Sequence, residues 1–316
     1  MYTDFFGMSE EPFRLTPDPR FFHFADHYRD VLLKVVQSVL LRRGFIAVTG
    51  PVGIGKTTLL HAALQLISSA SFDKKPIATA LLVNPKLTRD EFFEALLDEF
   101  EIPCSSTSKP RRLAALHSMF LERQRRGGTS VLIVDESHLL TVELFEEIRL
   151  LSNVDTYSEK LIQIVFAGQT EMMFKLDRPE LRALKQRIAT HCHLRSLSQA
   201  ETRAYISDRM KAAGLRTPLP FTRQALEEIY RFTSGIPRLI NLICESCLLV
   251  AFTTKRREIA GDIVEEAATS LHLNRSNTLE LPVTPATGPI ATEESEDSAS
   301  GDPFDQMSLR RAKSVE

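Results

Sequence analysis

Apolar positions along this chain change their period at a few definite points, and those changes lay out its elements. From Asp26 to about Arg43, Val31, Val35, Val39 and neighbouring leucines recur at helical spacing, which predicts an amphipathic helix with one buried side. Phe45 to Val48 is then continuously apolar and closes in glycine, after which Leu59, Leu60, Ala63, Leu64 and Ile67 return to helical spacing. Four more apolar runs, at Ile77–Val83, Ser130–Val134, Leu161–Gly168 and Ile188–Leu194, predict strands. Helical patterns lie between them at Thr88–Phe100, where Glu91 completes a capping box with Thr88, and at Lys109–Arg125, ended by Gly127-Gly128. A charged helical stretch with Arg178, Arg182, Lys185 and Arg187 precedes the last strand. Five strands alternating with helices predict an α/β fold built on a parallel sheet, with its ligand at the strands' carboxyl ends.

After Ser198 no strand pattern persists. Ser198 with Glu201 caps a helix to about Ala213, Thr222 caps another to about Phe232, Gly235-Ile-Pro237-Arg238 introduces a third, and Ile259–Leu271 forms a fourth. Residues 26–197 are therefore expected to form the α/β domain and 198–273 a small all-α domain. Residues 274–316 turn to Ser, Thr, Pro, Asp and Glu and are expected to be a disordered acidic tail. Residues 1–25 mix prolines with Phe5, Phe6, Phe13, Phe21 and Phe22, which predicts a packed arm that is neither helix nor strand.

Composition narrows the setting. A chain of 316 residues with 43% hydrophobic content can bury a substantial core. Its four cysteines, Cys104, Cys192, Cys244 and Cys247, are too few and scattered for a disulfide framework, so a reducing compartment is expected. Cys244 and Cys247 form C-x-x-C inside an apolar helical run and read as a core pair; His191-Cys192-His193 lies on a strand, whose alternation argues against a shared metal. There is no signal peptide and no uncharged apolar stretch of roughly 18 residues, so a cytoplasmic chain without a transmembrane segment is expected, reaching the inner membrane only through a partner. The tail holds eight acidic and four basic residues, leaving 33 acidic and 35 basic in residues 1–273. A slightly basic body permits nucleic-acid contact without arguing for it.

The chemistry sits where the first strand meets its helix. Gly50-Pro51-Val52-Gly53-Ile54-Gly55-Lys56-Thr57, followed by Thr58, satisfies the phosphate-loop pattern G-x-x-x-x-G-K-[ST]. Glycines let successive N–H groups turn toward a phosphate, and the helix start adds its positive dipole end. Lys56 is expected to reach the β- and γ-phosphates of ATP, and the Thr57 hydroxyl to ligate Mg2+. About 80 residues on, the third strand closes in Asp135-Glu136, a Walker B pair in which Asp135 holds the metal and Glu136 polarises the attacking water. Gln169 ends the fourth strand and reaches the γ-phosphate and water if that strand neighbours the first. In the arm, Phe21 or Phe22 either covers the adenine or staples the arm to the core.

Together these motifs resemble an AAA+ ATPase, with a P-loop NTPase sheet of five parallel strands followed by a helical lid. More narrowly, Met1-Tyr-x-x-Phe-Phe-Gly7 with Pro12-Phe13, Thr16-Pro-Asp-Pro-Arg-Phe21, Leu151-Ser-Asn153, Gly168-Gln169, Pro179-Glu-Leu-Arg182, Gln186-Arg187-Ile188 and Gly235-Ile-Pro-Arg238 resembles the ExeA/GspA-like secretion ATPases. That resemblance covers about residues 1–272. It implies Gln169 as sensor 1, Arg238 as a nucleotide-contacting sensor 2 from the lid, and Arg187 or Arg182 as an arginine finger given to a neighbouring subunit of a homo-oligomer. It also implies Mg-dependent ATP hydrolysis that assembles or remodels a secretion or envelope-export complex. Members of that family commonly continue through a transmembrane helix to a peptidoglycan-binding region, whereas this chain continues into a polar tail. The core also resembles transposition regulators that form ATP-dependent filaments on DNA. An ATP-gated DNA-binding regulator is the alternative, which basic clusters at Arg123-Gln124-Arg125-Arg126 and Lys255-Arg256-Arg257 keep open.

Overall fold

The apolar runs become the five strands of one sheet: β1 (Phe45–Thr49), β2 (Ile77–Leu82), β3 (Thr129–Val134), β4 (Ile162–Gly168) and β5 (Ile188–His193). The computed structural model describes residues 1–15, 25–69, 77–153 and 160–274. The strand order is β2-β3-β4-β1-β5, and every pairing is parallel. Position in the sheet explains composition. Central β1 and β4 are buried at every residue, which only continuous apolar runs tolerate, whereas edge strand β5 alternates and carries its histidines on the open side. The buried glutamine of the centre, Gln163, is bonded at both ends of its amide: its Oε1 accepts from Gly44 N at 2.7 Å and its Nε2 donates to Lys160 O at 3.2 Å. It fixes the entry of β4 against that of β1 without leaving a costly unpaired amide.

Helices cover both faces. They are α1 (Tyr2–Phe6), α2 (Asp26–Leu40), α3 (Lys56–Ser69), α4 (Arg89–Glu99), α5 (Lys109–Arg125), α6 (Val142–Leu151), α7 (Glu171–Leu176) and α8 (Arg182–Lys185). One core runs from α2 and α3 into the helical part of the chain; the other packs α4, α5, α6 and α7 on the opposite face. In the second core Phe166 stacks on Phe45 with centroids 5.9 Å apart and meets Phe145 edge-on at 5.3 Å. Truncating such a ring to alanine costs ~3–5 kcal/mol. As the capping box predicts, Thr88 accepts from Glu91 N while Glu91 accepts from Thr88 N.

Within the α/β part three elements differ from the sequence reading. Helix α2 stops at Leu40, three residues short, because Arg42 enters the left-handed region at φ 52 and its guanidinium turns to Gly127 O and Gly128 O. Helix α6 went unread, although Thr141 caps it and Leu144, Phe145, Ile148 and Leu151 line its buried side. The charged stretch before β5 is broken into α7, a 3-10 turn at Pro179–Leu181 and α8, since Pro179 has no N–H to continue a helix.

Four helices follow β5: α9 (Gln199–Ala212), α10 (Arg223–Thr233), α11 (Pro237–Thr253) and α12 (Gly261–Ser270). Ser198 and Thr222 cap the first two with their side chains. The arm was read as irregular, yet residues 2–6 form a helical turn closed by Gly7 at φ 74. Its described part packs on these helices: the Tyr2 hydroxyl donates to Glu245 at 2.6 Å, Ser9 N donates to Ala213 O at 2.8 Å, and Arg209 Nε donates to Pro12 O at 2.6 Å. Phe21, Phe22 and the tail beyond 274 lie outside the described residues. Cys244 and Cys247 are fully buried in the core, where burial raises both thiols' pKa, the latter to about 12, and keeps them protonated.

Candidate functional site

Strand order brings the sequence-distant residues together. With β1 lying between β4 and β5, the loop that follows β1 is flanked by the ends of both: Gly50 N donates to Gly168 O at 3.2 Å and Leu194 N to Thr49 O at 2.8 Å. Residues 50–55 curl over this edge and α3 begins at Lys56, so the first N–H groups of a 14-residue helix face the loop's hollow. Lys56 is 5% exposed and its Nζ donates to Gly50 O at 2.9 Å and Pro51 O at 3.0 Å. Burial lowers its pKa, while Glu136, Asp135 and Glu171 act to raise it.

Beside the lysine, the Thr57 hydroxyl donates to Asp135 Oδ2 at 2.5 Å. Asp135 is 1% exposed, its other oxygen accepts from Glu136 N at 2.8 Å, and its own N–H bonds Leu82 O on β2. A hydroxyl and a buried carboxylate at one point, beside the phosphate-loop sequence, are hard oxygen donors of the kind that hold Mg2+ with phosphate. Glu136 follows with φ 48, a left-handed conformation that a side chain rarely adopts and that functional sites concentrate.

Residues without a readable signal complete the site. The Tyr28 hydroxyl, from α2, donates to Ile54 O at 2.7 Å and pins the loop from below. Arg195 pairs doubly with Glu201, at 2.9 and 3.0 Å, and His27 Nδ1 lies 3.2 Å from the same carboxylate, tying the start of α9 to the sheet's edge. His138, on a 3-10 turn at Ser137–Leu139, places Nε2 2.9 Å from Gln169 Nε2. Lys175 Nζ, from α7, holds that turn by donating to His138 O and Leu140 O at 2.5 and 2.7 Å. Apart from the Arg195–Glu201 pair, each contact spans 26 residues or more of sequence, so no local pattern announces it.

The remaining predicted residues divide. Arg238 stands on the loop: its N–H donates to Gly53 O at 3.1 Å, and a Cβ on Gly53 would come within 2.8 Å of Arg238 Cβ. Gly53, at φ +74, is thus required both by its own conformation and by the helix above it. The Arg238 side chain is exposed and makes no ion pair among the described residues. Arg182 is likewise exposed, 13 residues beyond Gln169. Arg187 donates to Asn153 Oδ1 at 2.6 Å and to Ser152 Oγ at 3.4 Å, and makes no ion pair with an acid among the described residues. Val52 is 59% exposed in the loop, and Thr58 is half-buried in α3's first turn.

A parallel sheet in this order, a phosphate loop after β1 and acids after β3 define a P-loop NTPase of the AAA+ type. The family profile described as an AAA domain matches residues 40–176. The chain is 37% identical over 265 residues to General secretion pathway protein A of Aeromonas hydrophila, an alignment covering 83% of this chain and 47% of that protein. In sequence the chain is thus similar to an ExeA/GspA-type AAA+ protein, and it spans about half the length of that relative. Among solved structures, Cdc6p of Pyrobaculum aerophilum matches with TM-score 0.61 at 20% identity, over 85% of this chain and 70% of that one. The Drosophila ORC bound to DNA matches with TM-score 0.63 at 16% identity, over 84% and 65%. At such identities these two carry the fold alone.

Proposed function

We propose that the chain binds ATP with Mg2+ and hydrolyses it, and that turnover drives assembly or remodelling of a secretion or envelope-export complex. The observation that carries the ATPase reading is the convergence of Lys56, Thr57, Asp135 and Glu136 on one hollow, with Thr57 and Asp135 in contact at 2.5 Å. In this reading the loop N–H groups and Lys56 bind the β- and γ-phosphates, while Thr57 and Asp135 hold the metal. Mg2+, when bound, neutralises charge developing on the phosphates. Glu136 accepts the proton of the attacking water, Gln169 orients that water, and Arg238 contacts the nucleotide from the lid. Arg187, or Arg182 five residues earlier, reaches a neighbour's nucleotide in a homo-oligomer. The secretion role rests on the likeness to General secretion pathway protein A. An intact Asp135-Glu136 pair favours turnover over a purely ATP-gated binding module.

The test is ATP hydrolysis with Mg2+ by the wild type and by Glu136→Gln. The amide keeps the shape and loses the base, so binding should persist while turnover falls ~10²–10⁴-fold. Unchanged turnover in that variant would assign Glu136 a structural role and remove the hydrolytic reading.

A further inference from the structure

We infer that His138 is a positioning residue that couples the γ-phosphate-facing amide of Gln169 to the base Glu136, so that water activation waits for ATP. This rests on the ATPase reading above. Its basis is a pair of contacts at the two ring nitrogens. Gln169 Nε2 is 2.9 Å from His138 Nε2, and an amide NH2 can only donate. His138 Nε2 is then the acceptor, and a neutral ring carries its proton on Nδ1. Nδ1 lies 3.3 Å from Glu136 Oε2, yet is buried and off the line of a closed hydrogen bond. The ring is held at Gln169 and poised at Glu136.

The surroundings make this juxtaposition specific. A Cβ on Gly168 would stand 3.1 Å from His138 N, so glycine before Gln169 admits the turn that carries the histidine. Lys175 fixes the backbone of that turn from α7, the helix that starts just after Gln169. Ser137 is tied by its hydroxyl to Val134 O at 2.6 Å, at the end of the strand that delivers Glu136. The turn therefore joins the ends of β3 and β4, the two strands that supply base and sensor.

A coupling mechanism follows. While Gln169 donates to His138, the Nδ1 proton faces Glu136 and attracts its carboxylate toward the ring, so that the acid at the hollow is not free to take a proton from water. When a γ-phosphate competes for the Gln169 amide protons, the amide turns its oxygen to the ring and draws a proton to Nε2. Nδ1 then presents a lone pair to Glu136, and the carboxylate is released toward the water. The ring stays neutral: the Nδ1–H bond breaks, its proton passing by way of the adjacent Glu136 carboxylate to solvent, and an Nε2–H bond forms with a proton taken from solvent.

The test compares His138→Ala, Gln169→Ala and the double variant in full-length protein, measuring ATP affinity and kcat separately. The expected result is at least a tenfold loss of kcat in each single variant, ATP affinity within threefold of wild type, and a double variant no slower than the slower single, because both act through one link. His138→Gln keeps a polar atom near the Nε2 position and none near Nδ1, so it should lose turnover as alanine does; it replaces His138→Ala if the latter does not fold. Turnover within twofold of wild type for both His138 variants, or losses that multiply in the double variant, would overturn the coupling. Wild-type hydrolysis insensitive to Lys56→Ala and Glu136→Gln would instead remove the ATPase reading itself.

Discussion

At the scale of single residues, the site divides between what one short motif specifies and what only the folded chain assembles. Lys56, Thr57, Asp135 and Glu136 were legible because each stands at a fixed offset within a strand-to-loop pattern that phosphate and metal chemistry demand. Tyr28 and His138 were not, since a tyrosine in a helix and a histidine after two acids have many uses until Ile54 O and Gln169 are found beside them. Tyr28→Phe removes one hydroxyl and leaves the ring in place. We expect a loss of about 1 kcal/mol in denaturant unfolding and a few-fold weaker nucleotide binding, because Ile54 O loses its anchor within the loop. Unfolding and affinity both equal to wild type would show that the bond does not hold the loop.

Among elements, the five strands and most helices followed from periodicity because burial imposes it, and the differences have local causes. Helix α6 carried a readable pattern, Thr141 ahead of apolar positions at helical spacing, but lies directly behind the acidic pair whose chemistry dominates that stretch. The break at Arg42 depends on a guanidinium reaching Gly127 O and Gly128 O, a contact between distant segments. The junction of sheet and lid makes two predictions. Gly235 has φ +73, and a Cβ there would lie 1.8 Å from Leu197 O, a backbone atom that cannot step aside. Gly235→Ala should therefore cost ~2 kcal/mol or more, visible as a lowered melting temperature; an unchanged one would mean that the hinge rearranges freely. Glu201 is held at a pKa of about 2, against 4.5 for the free side chain, first by its hydrogen bonds from Arg195. A depressed folded-state value gives stability that is present above about 4.5 and lost as pH falls toward 2. Solvent screening keeps this contribution small. Glu201→Gln should flatten the stability-versus-pH curve across that window, and an unaltered slope would place the acid sensitivity elsewhere.

For the whole molecule, no helix among the described residues is long and apolar enough to cross a membrane, and no group of three or more His, Cys, Asp or Glu side chains among them forms a metal cluster of its own. The proposed function turns, at this scale, on contacts between copies of the chain. If Arg187 completes a neighbour's site, specific activity should rise with protein concentration, and Arg187→Ala should lose turnover while binding ATP normally. Mixing Arg187→Ala with Lys56→Ala should restore part of the activity, since some interfaces then pair an intact loop with an intact arginine. Flat specific activity and no rescue would leave Arg187 to its bond with Asn153. Beneath these claims lies one premise, that the hollow after β1 is a nucleotide site. Titration of the full chain with a fluorescent ATP analogue in Mg2+, comparing wild type with Lys56→Ala at equal thermal stability, tests it most directly. The account predicts saturable wild-type binding and a loss on the order of 10- to 100-fold in the variant, as expected when a charged hydrogen bond to phosphate is removed; equal affinity in the two proteins would contradict it.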